Sequence, residues 1–398
     1  MKTRFNSYQH RPQAFENTTL EQWQNWIWQQ QHAVRNSLQL SKIFPKFPEK
    51  PLKMAQAWEQ KGFRFLLTPY AISLVELDNK GNPRVNDVIW RQIFPVFEEF
   101  SAAPDEYSKE KENWEVSAEM ISPIAQHKYE NRVIIYTADA CLGYCVYCFR
   151  SLQSNATQEK HGGKPHWQQT MEAIAKLPKV EEVILSGGDP LIFANNVFET
   201  MLKDLRALPN VKAIRIHTRA WTHNPFRIDE PFCELLKKYE VTEMGVHAVH
   251  PRELTQDFSD AVSRIRASGA RTLLMTDTPL IKGVNDDAEI LHELFMGLYL
   301  EGVKPYYLSH NMPNIPAAGS QRTSVRQGLR LYNSLKRRIS NVAMPEYALD
   351  HKYGKKTVPE CEDGTPDFIY TVDEKGWPII RFKNWKGEWH EYLDAKES

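Results

Sequence analysis

The stretch RVIIYTADACLGYCVYCFRS, residues 132–151, joins two signals. Its first half is the β-branched and aromatic run of a strand. Its second half places Cys141, Cys145 and Cys148, three of the chain's five cysteines, within eight positions. Cys-x3-Cys followed by Cys-x2-Cys on a loop leaving a strand lets one short segment wrap a single ion or cluster. Three thiolates make a poor closed zinc site, which needs a fourth ligand; His127 or His161 would be the donors available to complete it. They make a good [4Fe–4S] site if one iron is to stay open, since such clusters otherwise take four cysteines. Cys233 and Cys361 stand alone and read as inert thiols. Five cysteines, three of them clustered, are a poor disulfide framework and point to a reducing compartment.

Working outward, the same alternation repeats. Strand patterns at EEVILSGGDP, VKAIRIHTR, VTEMGVHA, RTLLMTDTPL and KPYYLSH are each followed by a helical pattern, at 196–207, 229–238, 251–268, 286–301 and 323–339; WQQTMEAIAKLP supplies the helix after the first strand. Six β-then-α units require right-handed crossovers and a mainly parallel sheet. A doubly wound open sheet and an incomplete (β/α)6 barrel both satisfy this, and both gather chemistry at the C-terminal ends of the strands. Cys141, the SGGDP turn, His217, His247, Asp277 and His310 fall there.

Around this core, residues 1–115 read as a helical region, 116–340 as the core and 341–398 as a small β-rich cap. TTLEQWQNWIWQQQHAV opens with Thr18 and Glu21 at capping-box spacing and places Trp23 and Trp26 on an apolar face. FSAAPDEYSKEKENWE reads as a polar linker, and the tail as Gly-punctuated hairpins. With 50 basic and 50 acidic residues, no electrostatic argument favours nucleic acid. No apolar run approaches the ~18 residues of a membrane span, and MKTRFNSYQHRPQAF is no signal peptide. A cytoplasmic protein is expected.

CLGYCVYC after the first strand of such a repeat resembles the cluster motif of the radical SAM superfamily, in which the open iron chelates S-adenosylmethionine (SAM). Ser186, Gly187, Gly188 and Asp189, closing the second strand, match the turn that contacts the SAM methionine, and His247 resembles a residue lining the same site. The resemblance narrows to the lysine 2,3-aminomutase family over roughly residues 15–360, through WQNWIWQ, LTPYAISL, HKYENRVIIYTADACLGYC, VILSGGDPL, VHAVHPRELT, KGVND and VKPYYLS. It implies the incomplete (β/α)6 barrel, an isomerase moving an α-amino group to the β-carbon, and three cofactors: a [4Fe–4S] cluster, SAM and pyridoxal 5′-phosphate (PLP).

In that family the PLP lysine lies in a Gly-rich turn before Thr, which maps to Lys356 in LDHKYGKKTVP, with Lys352 and Lys355 as competitors. Lys128, Tyr129 and Arg132 map to the phosphate site, and Arg150 to the grip on the substrate carboxylate. Lysine-specific relatives clamp the side-chain ammonium with two aspartates. Asp350 fits one, but LSHNMPN offers no carboxylate for the other, and Asp277 stands where relatives have an amide. L-lysine or another basic amino acid is the expected substrate, with a flavodoxin- or ferredoxin-type protein as reductant. A lysine of an elongation factor is the alternative substrate, and a zinc-stabilised binding module the non-enzymatic alternative. Relatives assemble with the help of a longer zinc-binding tail; Cys361 alone does not reproduce it, and a homo-oligomer is left open.

Overall fold

A computed structural model describes residues 4–60, 64–95, 116–148, 150, 164–315 and 318–397. His161 and the linker expected at 100–115 lie outside the described residues. One open sheet of ten strands dominates the fold, its spatial order equal to its chain order. The strands are β1 (Met120–Ser122), β2 (Ala125–Tyr129), β3 (Arg132–Ala138), β4 (Glu182–Gly187), β5 (Ala213–Thr218), β6 (Glu243–Val246), β7 (Leu273–Leu280), β8 (Lys304–His310), β9 (Glu346–Leu349) and β10 (Lys356–Thr357). β3 to β9 run parallel, with antiparallel pairs at the two edges. The six predicted units therefore appear as an incomplete (β/α)6 barrel. β9 adds a seventh parallel strand that the sequence reading left in the tail, because four residues are too short for a periodic signal. Helices such as Asn195–Arg206, Glu230–Lys238 and Gln256–Ser268 bury their apolar faces against the sheet in one continuous core, through Phe198, Leu202, Phe232, Phe258 and Ile265.

The N-terminal region is helical but not as drawn. The capping box is Thr19 with Gln22, not Thr18 with Glu21: the Thr19 hydroxyl accepts from Gln22 N–H at 3.2 Å, and Gln22 Oε1 accepts from Thr19 N–H at 3.0 Å. The helix then breaks into Leu20–Trp23 and Trp26–Gln31. Asn25 causes the break, since its carboxamide captures the Ile27 and Trp28 N–H groups and starts a new cap. Trp23 is fully buried, as the core reading expected, and Trp26 only in part. Similarly, the helix expected at 251–268 begins as a short turn at Pro251–Glu253 and restarts at Gln256 under a Thr255 cap.

This N-terminal layer, with Trp23, Tyr70, Trp90 and Phe94 at its centre, packs on Val146 of the cysteine loop and Phe226. At the other end, β11 (Phe368–Val372), β12 (Pro378–Lys383) and β13 (Trp389–Leu393) form the expected antiparallel cap. It is fixed to the barrel by a 2.8 Å hydrogen bond between His310 Nδ1 and the Tyr392 hydroxyl, by Arg322 donating to Leu393 O at 2.7 Å, and by Val325 N–H donating to Asp394 at 3.0 Å. No helix among the described residues is long and apolar enough to cross a membrane.

Candidate active site

Cys141, Cys145 and Cys148 lie on the loop that leaves β3, and both flanks of the fold hold that loop. From the N-terminal layer, Gln30 Nε2 donates to Leu142 O at 3.0 Å, and Gln92 O accepts from Val146 N–H at 2.8 Å. From the β4 turn, Asp189 N–H donates to Ala140 O at 3.0 Å. Gly188 is needed for that approach, because a Cβ there would sit 2.3 Å from Ala140 O. Burial pushes the Cys141 thiol well above its ordinary value, with Asp189 and the other two sulfurs adding to the effect. Burial raises Cys145 to about 11, with the Arg219 guanidinium opposing. Cys141 and Cys145 therefore resist ionisation, and a bound cation would hold them as thiolates.

The β4 turn also plays a structural part. Gly188 N–H is spent on Ala138 O at 2.6 Å, and Ser186 O accepts from the Thr137 hydroxyl at 2.9 Å. The Asp189 carboxylate, buried, accepts from Leu191 N–H, the Thr218 hydroxyl and Arg219 N–H at 2.8–2.9 Å. It thereby fixes the ends of β4 and β5 against each other. Arg219, which follows β5, donates to His247 O at 2.9 Å, to Gln92 Oε1 at 3.1 Å and to Glu253 at 2.8 Å. One buried guanidinium thus ties the β5 and β6 ends to the N-terminal layer beside Cys145. His217 and His247 lie side by side, 5.3 Å between centroids, and burial lowers both, leaving them neutral at pH 7. His247 Nδ1 is 3.2 Å from Asp277 O.

A second focus lies across the mouth of the barrel, where the turn between β9 and β10 meets the ends of β7 and β8. Lys355 Nζ stands 3.1 Å from Asp277 Oδ2, 3.2 Å from Asp350 Oδ1 and 3.4 Å from the Ser309 hydroxyl, 3.7 Å above the Tyr307 ring. A register shift between β7 and β8 skips Tyr306 and sets Asp277 opposite Tyr307, so a bulge aims both at the lysine. Burial alone would lower the ammonium, but the two carboxylates outweigh it and hold the lysine charged. Desolvation opposes the Asp277 carboxylate and Lys355 outweighs it, lowering Asp277; for Asp350 desolvation wins and its carboxyl is raised. Lys355 N–H also donates to the Tyr129 hydroxyl at 2.8 Å.

Lys356 is one position further on, in β10, paired with Leu349. Neighbouring residues of an extended chain point to opposite faces, and Lys356 is within electrostatic reach of Asp367 at the start of the cap. Lys352 lends its carbonyl to the Lys128 ammonium, which also pairs with Glu119 at 3.1 Å. Arg132 lies 4.3 Å over the Tyr129 ring, and Arg150 3.7 Å over Tyr136. Tyr136 donates to Gln126, whose amide donates to Glu119, so the Arg150 stack and Lys128 share one polar chain. His310 is a buried structural group, pushed down to about 3 by burial.

The sequence model of the radical SAM superfamily matches residues 135–294. The chain is 32% identical over 327 residues to the L-lysine 2,3-aminomutase of Haemophilus influenzae, covering 82% of this chain and 92% of that one. It is 30% identical to the putative L-lysine 2,3-aminomutase of Aquifex aeolicus, covering 87% and 90%. It is 26% identical to the glutamate 2,3-aminomutase of Clostridioides difficile, covering 94% and 83%. The chain belongs to the lysine 2,3-aminomutase family of radical SAM enzymes.

As a member of that family it is an isomerase acting on an amino acid, with a [4Fe–4S] cluster and SAM as cofactors. The three free sulfurs of the cysteine loop fit the cluster in their donor set. Membership of an isomerase family sets the non-enzymatic zinc-module alternative aside. Sequence reasoning did not find Gln92, Arg219, Tyr307 or Ser309. Of these only Arg219 had a signal, an arginine next to the end of a predicted strand.

Proposed function

We propose that this chain is a PLP-dependent 2,3-aminomutase for a free basic amino acid, L-lysine foremost, with Lys355 rather than Lys356 as the residue that holds PLP. The observation that carries this reading is the single ammonium of Lys355 set between the carboxylates of Asp277 and Asp350. Two carboxylates flank one ammonium, and both would be left to a cationic substrate group if PLP were held by the Lys355 nitrogen. Asp277, on β7, thus supplies the second acid that the segment after β8 lacks. A cationic side chain is the complement of that pair, and a glutamate side chain would be repelled by it.

The remaining roles are those that the family resemblance implies. Cys141, Cys145 and Cys148 hold the cluster; Ser186, Gly187, Gly188, Asp189 and His247 shape the SAM side. Lys128, Tyr129 and Arg132 take the cofactor phosphate, and Arg150, stacked on Tyr136, presents its planar fork to the substrate carboxylate. PLP, when bound, supplies a conjugated ring that delocalises unpaired spin during migration of the amino group. The protein's contribution is to fix these partners on strand ends and to keep the substrate ammonium from water. A flavodoxin- or ferredoxin-type protein is the proposed electron donor. Incubating the reduced, cofactor-loaded enzyme with L-lysine, L-arginine, L-ornithine and L-glutamate, with products read by mass spectrometry after derivatisation, tests the reading. A β-amino product from a basic amino acid and none from L-glutamate is expected; turnover of L-glutamate alone would sink it.

A further inference from the structure

The turn between β12 and β13 reaches the lysine site from the cap. Asn384 builds that turn: its side-chain oxygen accepts from Lys386 N–H at 2.9 Å and Glu388 N–H at 3.0 Å, and its amide is bound to Glu388 and His390. Gly387, at φ +80°, closes it. So rigid a turn presents Trp385 and Lys386 in fixed positions. The Trp385 ring lies 5.7 Å from Tyr129, between centroids. Gly354, at φ +121°, fits between them, because a Cβ there would be 3.1 Å from both Trp385 Cδ1 and the Tyr129 hydroxyl. That hydroxyl in turn accepts from Lys355 N–H. Lys386 is near enough to Lys128 for the two like charges to repel, and burial has already lowered the Lys128 ammonium. With Arg132 over the Tyr129 ring, Lys128, Arg132 and Lys386 bring three cations to the β2–β3 hairpin, against the Glu119 carboxylate that pairs with Lys128 at 3.1 Å. An excess of cations marks a place for an anion.

We infer that the tip of the C-terminal hairpin belongs to the cofactor site: Lys386 adds a third cation for the phosphate monoester of the pyridoxal cofactor, and Trp385 walls the pocket and positions Tyr129 and the Gly354 turn. This rests on the reading that the chain binds PLP. Lys386 lies at a hairpin tip, so its removal leaves the fold intact.

The test is an equilibrium titration of the full-length chain with PLP and with pyridoxal, followed by the visible absorption of bound cofactor. Wild type is compared with Lys386→Ala, Trp385→Ala and, as a charge-matched control on another turn of the cap, Lys375→Ala. Lys386→Ala is expected to weaken PLP about three- to tenfold, as for one partly exposed charge-assisted contact, leaving pyridoxal unchanged. Lys375→Ala should match wild type, and Trp385→Ala should weaken both ligands while keeping their ratio. Equal PLP affinity for Lys386→Ala and wild type, or equal losses for both ligands, would overturn the phosphate role. Failure of wild type to bind PLP would instead overturn the underlying reading.

Discussion

The two halves of the barrel mouth are built in opposite ways. On the β3–β4 side, the proposed cluster ligands Cys141, Cys145 and Cys148 come from eight consecutive positions, and distant residues only brace the loop. On the β7–β9 side, Lys355 is one member of a group drawn from residues 129, 277, 307, 309 and 350, with no local motif. The first side can be lost by changing a single loop residue, whereas the second can be retuned residue by residue.

Four results would break or sharpen this contrast. Replacing any one of Cys141, Cys145 or Cys148 with alanine should abolish iron–sulfur absorption and all turnover, while Cys233→Ala and Cys361→Ala keep full iron content; a cluster of normal stoichiometry in any of the first three would break the local side. Arg219→Ala leaves Glu253 buried without its cation and should cost about 3–5 kcal/mol. Denaturant unfolding of the cofactor-free chain measures it, and an unchanged midpoint would show that the brace between the halves is idle. Asp277→Asn should raise KM for a basic substrate about tenfold, the worth of one charged contact. Because Asp277 helps hold the Lys355 proton, the same change should move the pH profile of cofactor attachment to lower pH, where wild type still has little neutral amine. A profile that stays in place would separate Asp277 from the lysine.

The smallest effect concerns the anchor of the cap. Burial raises the Asp394 carboxyl to about 6, above the ordinary 3.8. A folded-state value above the unfolded one gives stability that is complete below about pH 4 and lost as pH rises through about 6, on the order of 2–3 kcal/mol. Asp394→Asn should flatten the dependence of Tm on pH across that window; an unchanged slope would place the titration elsewhere.

The same contrast explains what the sequence disclosed. The parallel strand–helix repeat and the cluster loop were legible because their signals are periodic or contiguous. Asp277 was noticed only as a departure, since nothing local says that a β-bulge at Tyr306 turns it toward a lysine 78 positions away. Lys355 and Lys356 are indistinguishable by composition, and only the pairing of Lys356 with Leu349 fixes which faces the site. The capping box shifted by one residue for a related reason: Thr18 and Thr19 are both competent, and backbone geometry chooses.

The central claim is that Lys355, paired with Asp277 and Asp350, is the residue that holds PLP. Borohydride reduction of the PLP-loaded enzyme, followed by proteolysis and peptide mass mapping, reads it directly. The account predicts the phosphopyridoxyl group on Lys355. Its appearance on Lys356 or Lys352, or on no lysine, would contradict the account.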